Sequence, residues 1–358
     1  MRVCVIGAGS IGGFVAARMA SAGDEVTVLA RGATLAAIRA HGIRLESADG
    51  NIQSVTVRAV ARLADAGPQD VIILAVKAHQ VVDVVDELPA AMHADTVIIP
   101  MQNGVPWWYF QRYGGAHDGH VVESVDPGGR LLRQIDPRRI VGCVVYPACE
   151  LIGPGHVRHV EGERFPLGEL DGQSTERVAN LSALFVRAGF KSPVLDAIRN
   201  EIWLKLWGNL SFNPISALAH ATLADICAFP LSRELAANMM REAQTIATQL
   251  GASFRVSLER RLEGAAKVGH HKTSMLQDVE SGRDPEIDAL VGSVIELGKI
   301  TATPTPYLET VYALMKLLGN RIATEQISIR AQPKQASAAP LMSSAMPPLS
   351  RQAQPHAA

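Results

Sequence analysis

Cysteine is scarce in this chain. It has four in 358 residues, Cys4, Cys143, Cys149 and Cys227, and none forms a C-x-x-C pair. That pattern argues against a zinc ribbon or a redox dithiol. Cys4 lies inside the first apolar run and reads as a small buried hydrophobe. Charge of one sign is also missing: 34 Lys and Arg against 35 Asp and Glu leave a net charge of −1. Neither a nucleic-acid surface nor a polybasic membrane patch follows from such a balance. No apolar run is long enough to span a bilayer. The N-terminus, MRVCVIGAG, enters an apolar strand directly, without a basic leader and cleavage site. A reduced, cytoplasmic compartment is the expectation, with no nucleic-acid or membrane partner.

What is present is enough apolar material, 47% of the chain, for sizeable cores, and a length that favours two domains. Arg2 to Ile6 reads as a buried strand. It runs straight into Gly7-Ala8-Gly9-Ser10-Ile11-Gly12 and then an apolar-periodic helix. Strand, G-x-G-x-x-G, helix is the context a dinucleotide-binding loop requires. Gly7 permits the tight turn, Gly9 lets backbone approach a pyrophosphate, and Gly12 lets helix and strand pack closely. The helix N-terminus then offers free N–H groups to the anion.

The second strand, Glu25 to Leu29, ends in Ala30-Arg31-Gly32 without the carboxylate that an NAD ribose calls for. Arg31 suits a 2′-phosphate, so NADP(H) is the expected cofactor. Further apolar runs end in polar groups, Lys77 and Gln80 after one and Gln102-Asn103-Gly104 after the next. Ligands of open α/β sheets bind at such carboxyl ends. Asp49-Gly50 reads as a hairpin turn. From Gly114 to Arg139 the pattern weakens. His117, Asp118 and His120 lie there without a third ligand at metal spacing, so no metal site is expected. His156 and His159 read as structural.

Beyond Gly172 the period becomes helical, over 175–188, 194–219, 231–250, 256–268, 284–301 and 306–320. The stretch IWLKLWGNLSFNPISA, from Ile202, places Lys205, Asn209 and Asn213 four residues apart, on one stripe of a largely apolar helix. Polar ends among so many large apolar groups are costly unless they meet partners. Pro214 predicts a kink or an end just after the stripe. Glu286 fits the first turn of its helix, where the dipole favours a carboxylate. The expected division is a Rossmann domain over 1–172, a helical domain over 173–328, and an unstructured Ala/Pro/Ser/Gln-rich tail over 329–358.

Taken together, GAGSIG at 7–12, Arg31, AVKAHQ at 75–80, QNG at 102–104, KLWGNLSFNP at 205–214, and SMLQDV with PEID at 274–288 resemble the ketopantoate reductase (2-dehydropantoate 2-reductase) family over about residues 1–320. The resemblance implies an α/β Rossmann-type domain followed by an all-α domain like the C-terminal domain of 6-phosphogluconate dehydrogenase. It implies NADPH-dependent reduction of 2-dehydropantoate to pantoate, in pantothenate and coenzyme A synthesis. By the same resemblance Lys205 is catalytic. Asn103, Asn209, Asn213, Ser274 and Glu286 contact substrate. The 7–12 loop with Arg31, Lys77, Gln80, Asn103 and Glu286 contacts NADP(H). A homodimer is compatible with it.

One departure concerns specificity. A further substrate-contacting asparagine of the family, about ten residues past Asn213, is missing from Leu218–Ala224, which leaves His220 as the stand-in. A paralogous reductase of another 2-oxo acid is therefore the alternative, and a non-catalytic NADP(H) sensor a more remote one. The chemistry itself follows from charge: an ammonium beside a ketone can stabilise the developing alkoxide and deliver its proton.

Overall fold

The computed structural model describes residues 1–332. The α/β part runs β1 (Arg2–Ile6), α1 (Ser10–Ser21), β2 (Glu25–Leu29), α2 (Gly32–His41), β3 (Ile43–Glu46), β4 (Ile52–Val55), β5 (Arg58–Val60), β6 (Val71–Leu74), β7 (Val97–Pro100), α3 (Arg130–Gln134), β8 (Val141–Cys143), β9 (Ala148–Gly153), β10 (His156–Glu161), β11 (Leu167–Glu169) and α4 (Glu176–Arg187). A five-stranded parallel sheet has the order β5-β2-β1-β6-β7. Its central strands are covered on both faces, which is why VCVI and VIIL read as unbroken apolar runs. The chain leaves β1 towards β2 and returns to β6 on β1's other side. The crevice at this reversal opens at the carboxyl end of β1, where the glycine loop sits.

The hairpin expected at Asp49-Gly50 is formed by β3 and β4, which pair Ile43 with Val55 and Glu46 with Ile52. It continues into a second sheet, β4-β3-β10-β9. β9 was not legible in the sequence because its side chains are half-buried or exposed, leaving no alternation to read.

The helical part comprises α5 (Ile198–Ala219), α6 (Leu223–Ala228), α7 (Pro230–Gln249), α8 (Leu258–Val268), α9 (Ser274–Glu280), α10 (Ser293–Ile300) and α11 (Pro306–Glu325). A π-helical turn over Asp288–Gly292 leads into α10. Of the kink or end expected at Pro214, the end does not occur, and α5 runs through it. Proline removes one hydrogen bond, to the Leu210 carbonyl, at a cost of about 3 kcal/mol. Leu210, Phe212 and Ile215 are buried around it. Burying three such side chains contributes about 1.5–3 kcal/mol each, so packing outweighs the lost bond.

α4 does not belong with these helices. Val178, Leu181, Leu184 and Phe185 share the apolar core of the α/β sheets, and Arg18 of α1 donates to the Ala188 carbonyl (3.0 Å). By this packing α4, which follows the boundary expected at residue 172, shares its core with the α/β sheets. At the other end, Ile327 and Ile329 pack on the helical core, and Arg330 donates to the Glu280 carbonyl. The expected unstructured tail lies, from residue 333, outside the described residues.

Candidate active site

The glycine loop is built by close approach. Gly7 has φ +103°, a conformation that L side chains rarely adopt. A Cβ on Gly12 would lie 1.9 Å from the Gly7 carbonyl oxygen, whereas one on Gly9 would meet nothing within 4 Å. Gly12 is therefore required by packing, and Gly9 borders open space. Gly9 is also the N-cap of α1 and supplies no side chain to the first-turn N–H groups. Ala8, Ser10 and Ile11 complete the turn. Backbone donors that face open space at a helix N-terminus fit a pyrophosphate.

Arg31 caps α2 with extended backbone, two residues past the end of β2. Its side chain is exposed and has no hydrogen-bond partner among the described residues. It lies at the carboxyl edge of the sheet, as the sequence indicated.

Lys77 and Gln80 are less free. The Lys77 ammonium donates to Asp278 Oδ2 (2.9 Å) and to the Asp284 carbonyl (2.6 Å), both in the helical part. The Gln80 side-chain oxygen accepts from the Lys77 N–H (3.2 Å) and so closes a short 3-10 turn over Ala78–Asp83. Glu286 does not lie in the first helical turn. Pro285 precedes it and helical geometry begins after it. Its carboxylate instead accepts from the Ala78 N–H across the cleft (3.0 Å). Burial pushes the Glu286 pKa up, against the opposing pull of the Ala78 N–H and Lys77.

The α5 stripe meets this edge. The Lys205 ammonium donates to Asn103 Oδ1 (2.6 Å) and to the Val145 carbonyl. Burial lowers its pKa to about 8, only partly offset by Glu286. The Cys143 thiol is itself pushed by burial up to about 12 and stays neutral. Asn209 is half-buried and Asn213 buried on the same stripe, and neither carboxamide has a partner among the described residues. Gly104 brings the Asn103 loop into place: φ is +92°, and a Cβ there would lie 2.1 Å from the Ala289 carbonyl oxygen. That carbonyl accepts the Val105 N–H (2.9 Å), tying the loop to the π-helical turn.

Gln102, Asn103, Trp108, Val145, Lys205 and Asn209 wall a cavity of about 20 Å³ at this junction. That is room for a single water, so the innermost part of the site is tight. The structure thus brings Lys205, Asn103 and Asn209 together, with Glu286 close enough to influence the ammonium. Asn213 lies two turns further along α5. Ser274 is exposed at the first position of α9 and does not line the cavity.

His220, the expected stand-in for the missing asparagine, ends α5 in the left-handed conformation (φ +52°). Its Nδ1 is solvent-excluded without a partner among the described residues. The family's asparagine position falls near Leu223, which begins α6 and whose N–H donates to the His271 carbonyl (3.3 Å).

Gln102, part of the polar strand end read from the sequence, donates its amide to the carbonyls of Leu74 (2.8 Å) and Val76 (3.0 Å), which leaves its oxygen buried and unpartnered. Trp108 and Val145, which carried no readable signal, also line the site. Trp107 to Phe110 are core residues, and the Trp203 indole donates to the Tyr109 hydroxyl (2.7 Å). His117 and His120 pack on the Phe110 ring. His159 stacks on Phe14 (4.4 Å) and His156 faces Glu46 (3.3 Å), the structural roles expected of both.

Comparison with known proteins places this geometry. Residues 3–172 match the family described as ketopantoate reductase PanE/ApbA, and residues 197–319 match its C-terminal counterpart. A 2-dehydropantoate 2-reductase from Mesorhizobium japonicum is 50% identical over 319 residues, covering 89% of this chain and 98% of its own. A crystal structure of a putative ketopantoate reductase from Ralstonia solanacearum superposes with a TM-score of 0.86 at 41% identity, covering 90% of this chain and 98% of that one. A dimeric ketopantoate reductase from Staphylococcus aureus has the same fold, with a TM-score of 0.69 at 22% identity, covering 90% and 100% of the two chains.

Proposed function

The chain belongs to the ketopantoate reductase family, and on that premise we propose that it reduces 2-dehydropantoate to pantoate with NADPH, a step of pantothenate synthesis. The observation that carries the reading is the Lys205 ammonium, held by Asn103 and the Val145 carbonyl at the carboxyl end of the parallel sheet.

The nicotinamide dinucleotide supplies the hydride when bound. The 7–12 loop would hold its pyrophosphate and Arg31 the 2′-phosphate that marks NADPH. The rest is done by this chain's own side chains. Lys205 faces the ketone oxygen, stabilises the negative charge that develops there and donates a proton from Nζ. Such general-acid assistance is worth about 10²–10⁴-fold in rate. A pKa near 8 keeps the group largely charged at neutral pH while making the proton easier to release. Asn103 aims the ammonium. Asn209 and Asn213 present free carboxamides to the substrate's oxygen atoms, and Glu286 accepts from its hydroxyl. Ser274 reaches the substrate once the cleft has opened and closed around it. Lys77 and Gln80 border the cofactor, with Lys77 exchanging Asp278 for it.

Leu223, in place of an asparagine, favours a second reading, in which another 2-oxo acid is the preferred substrate. NADPH oxidation followed with ketopantoate, 2-oxoisovalerate and oxaloacetate tests both. Ketopantoate is expected to give the highest kcat/KM. Preference for one of the others would transfer the assignment to the second reading. Turnover of none, with NADPH bound, would leave a cofactor-binding sensor. We also propose a homodimer, as described for the Staphylococcus aureus relative. Sedimentation at the mass of one chain would refute it.

A further inference from the structure

Arg261 is an exception among the arginines. Arg164 pairs with Glu201, Arg177 with Glu169 (2.5 Å) and Arg255 with Glu201 (3.0 Å). Arg199 donates to the carbonyls of Tyr109 (2.7 Å), Gln111 (2.8 Å) and Leu170. Arg31, Arg44, Arg233 and Arg260 have no side-chain partner among the described residues, but all four are exposed to water. Arg261 is half-buried, its Nε is solvent-excluded, and no group of the described residues accepts from its guanidinium.

The place it occupies is the catalytic helix. Arg261 rises from α8 and lays its guanidinium on α5 at Gly208, one residue before Asn209 and one turn after Lys205. A Cβ on Gly208 would lie 2.1 Å from Nη2 and 2.9 Å from Cζ. The cation therefore rests against bare backbone, at a position that any side chain would close. Tyr146, next to the carbonyl that holds Lys205, is near enough to act on its charge. An unpaired guanidinium loses hydration on burial and recovers it only from an anion or another acceptor. An arginine stays protonated throughout.

We propose that Arg261 is the cationic partner of the substrate's carboxylate, reached when the cleft admits the 2-oxo acid. This rests on the reductase reading above. A planar fork of N–H donors matches a carboxylate in a way that the single neutral hydroxyl of Ser274 does not.

The test compares wild type, Arg261→Gln, Arg261→Ala and Gly208→Ala, the last of which displaces the guanidinium without deleting it. Four readouts are used: KM and kcat for ketopantoate and for its neutral lactone, the Kd of NADPH, oxamate binding to the NADPH complex by calorimetry, and Tm. Expected in both variants is a KM for ketopantoate on the order of 10- to 100-fold higher, the size of one lost charge-assisted contact. The change in kcat should be small, NADPH binding unaltered, the preference for acid over lactone reduced, and oxamate binding lost. Guanidinium ion added to Arg261→Ala should restore part of the affinity. Because Arg261 has no internal partner, Arg261→Gln should keep the wild-type Tm.

An unchanged KM with the acid preference intact would overturn the proposal, as would an equal loss of NADPH affinity, which would assign Arg261 to a cofactor phosphate. A collapse in Tm would assign it to the fold, and Gly208→Ala would then decide. Should wild type reduce no 2-oxo acid yet bind oxamate through Arg261, the reductase reading fails and the anion site stands. Failure of oxamate to bind wild type removes the site.

Discussion

The two halves of the proposed site are made of different materials. The cofactor half centres on backbone: a loop whose glycines pack closely or face open space, at the start of a helix that has no side-chain cap. The substrate half is side chain: an ammonium, carboxamides and a carboxylate carried on helices and held by contacts between distant segments. Lys205 and Asn103, which touch, are 102 residues apart, and Glu286 and Ala78 are 208 apart. A backbone-built site is intolerant where backbone packs on backbone, as at Gly12, whereas side-chain-built sites tolerate exchange at a cost in rate or specificity. The family's missing asparagine lies in the second half.

Five measurements break or sharpen that contrast. Lys205→Ala should lower kcat by about 10²–10⁴-fold with the Kd of NADPH unchanged. A parallel loss of cofactor affinity would mean that the halves are not separable. Gly12→Ala should do the reverse. Its methyl would lie 1.9 Å from the Gly7 carbonyl oxygen, overpacking of a kind that costs about 1–3 kcal/mol, or about 5- to 100-fold in cofactor affinity if it falls on the loop. Retained affinity, by fluorescence titration of NADPH, would show that the loop yields.

Arg31→Ala should reduce the NADPH over NADH preference in kcat/KM by about 10- to 100-fold, the worth of a charge-assisted contact, and equal use of the two cofactors by wild type would remove Arg31 from the site. The smallest effect concerns protons. With the Lys205 pKa lowered to about 8, kcat/KM for reduction should be flat below pH 8 and fall about tenfold per unit above it. The sign for stability is opposite. A base whose folded pKa is depressed opposes folding while it must stay charged, and that penalty is relieved as pH rises from about 8 to its ordinary 10.5. Lys205→Met should therefore raise Tm at pH 7 and much less at pH 10. An equal rise at both would assign the gain to packing.

How much was legible follows the same division. The glycine loop, Arg31 and the strand ends could be read because local backbone geometry dictates residue type over a few positions. The Lys205 stripe could be read because helical spacing is local too. What could not be read depends on distant packing. Pro214 passes through α5 because its neighbours are buried. The Glu286 carboxylate accepts from the Ala78 N–H, 208 residues away. α4 has an ordinary amphipathic sequence, and nothing in it says that its apolar face belongs to the sheets. Trp108 looks like a core residue until the cavity is seen.

The Val145 carbonyl gives the lysine an unusual kind of inheritance. Of the two acceptors that aim Lys205, Asn103 can be lost to a single substitution, whereas a main-chain oxygen can only be moved, never replaced. On the proposed roles, exchanging Asn209, Asn213, Ser274 or the residue at 223 would leave that main-chain acceptor of the Lys205 ammonium in place. The proposed reaction would then be anchored in the part of the molecule that point mutation cannot rewrite, and substrate choice in the part that it can.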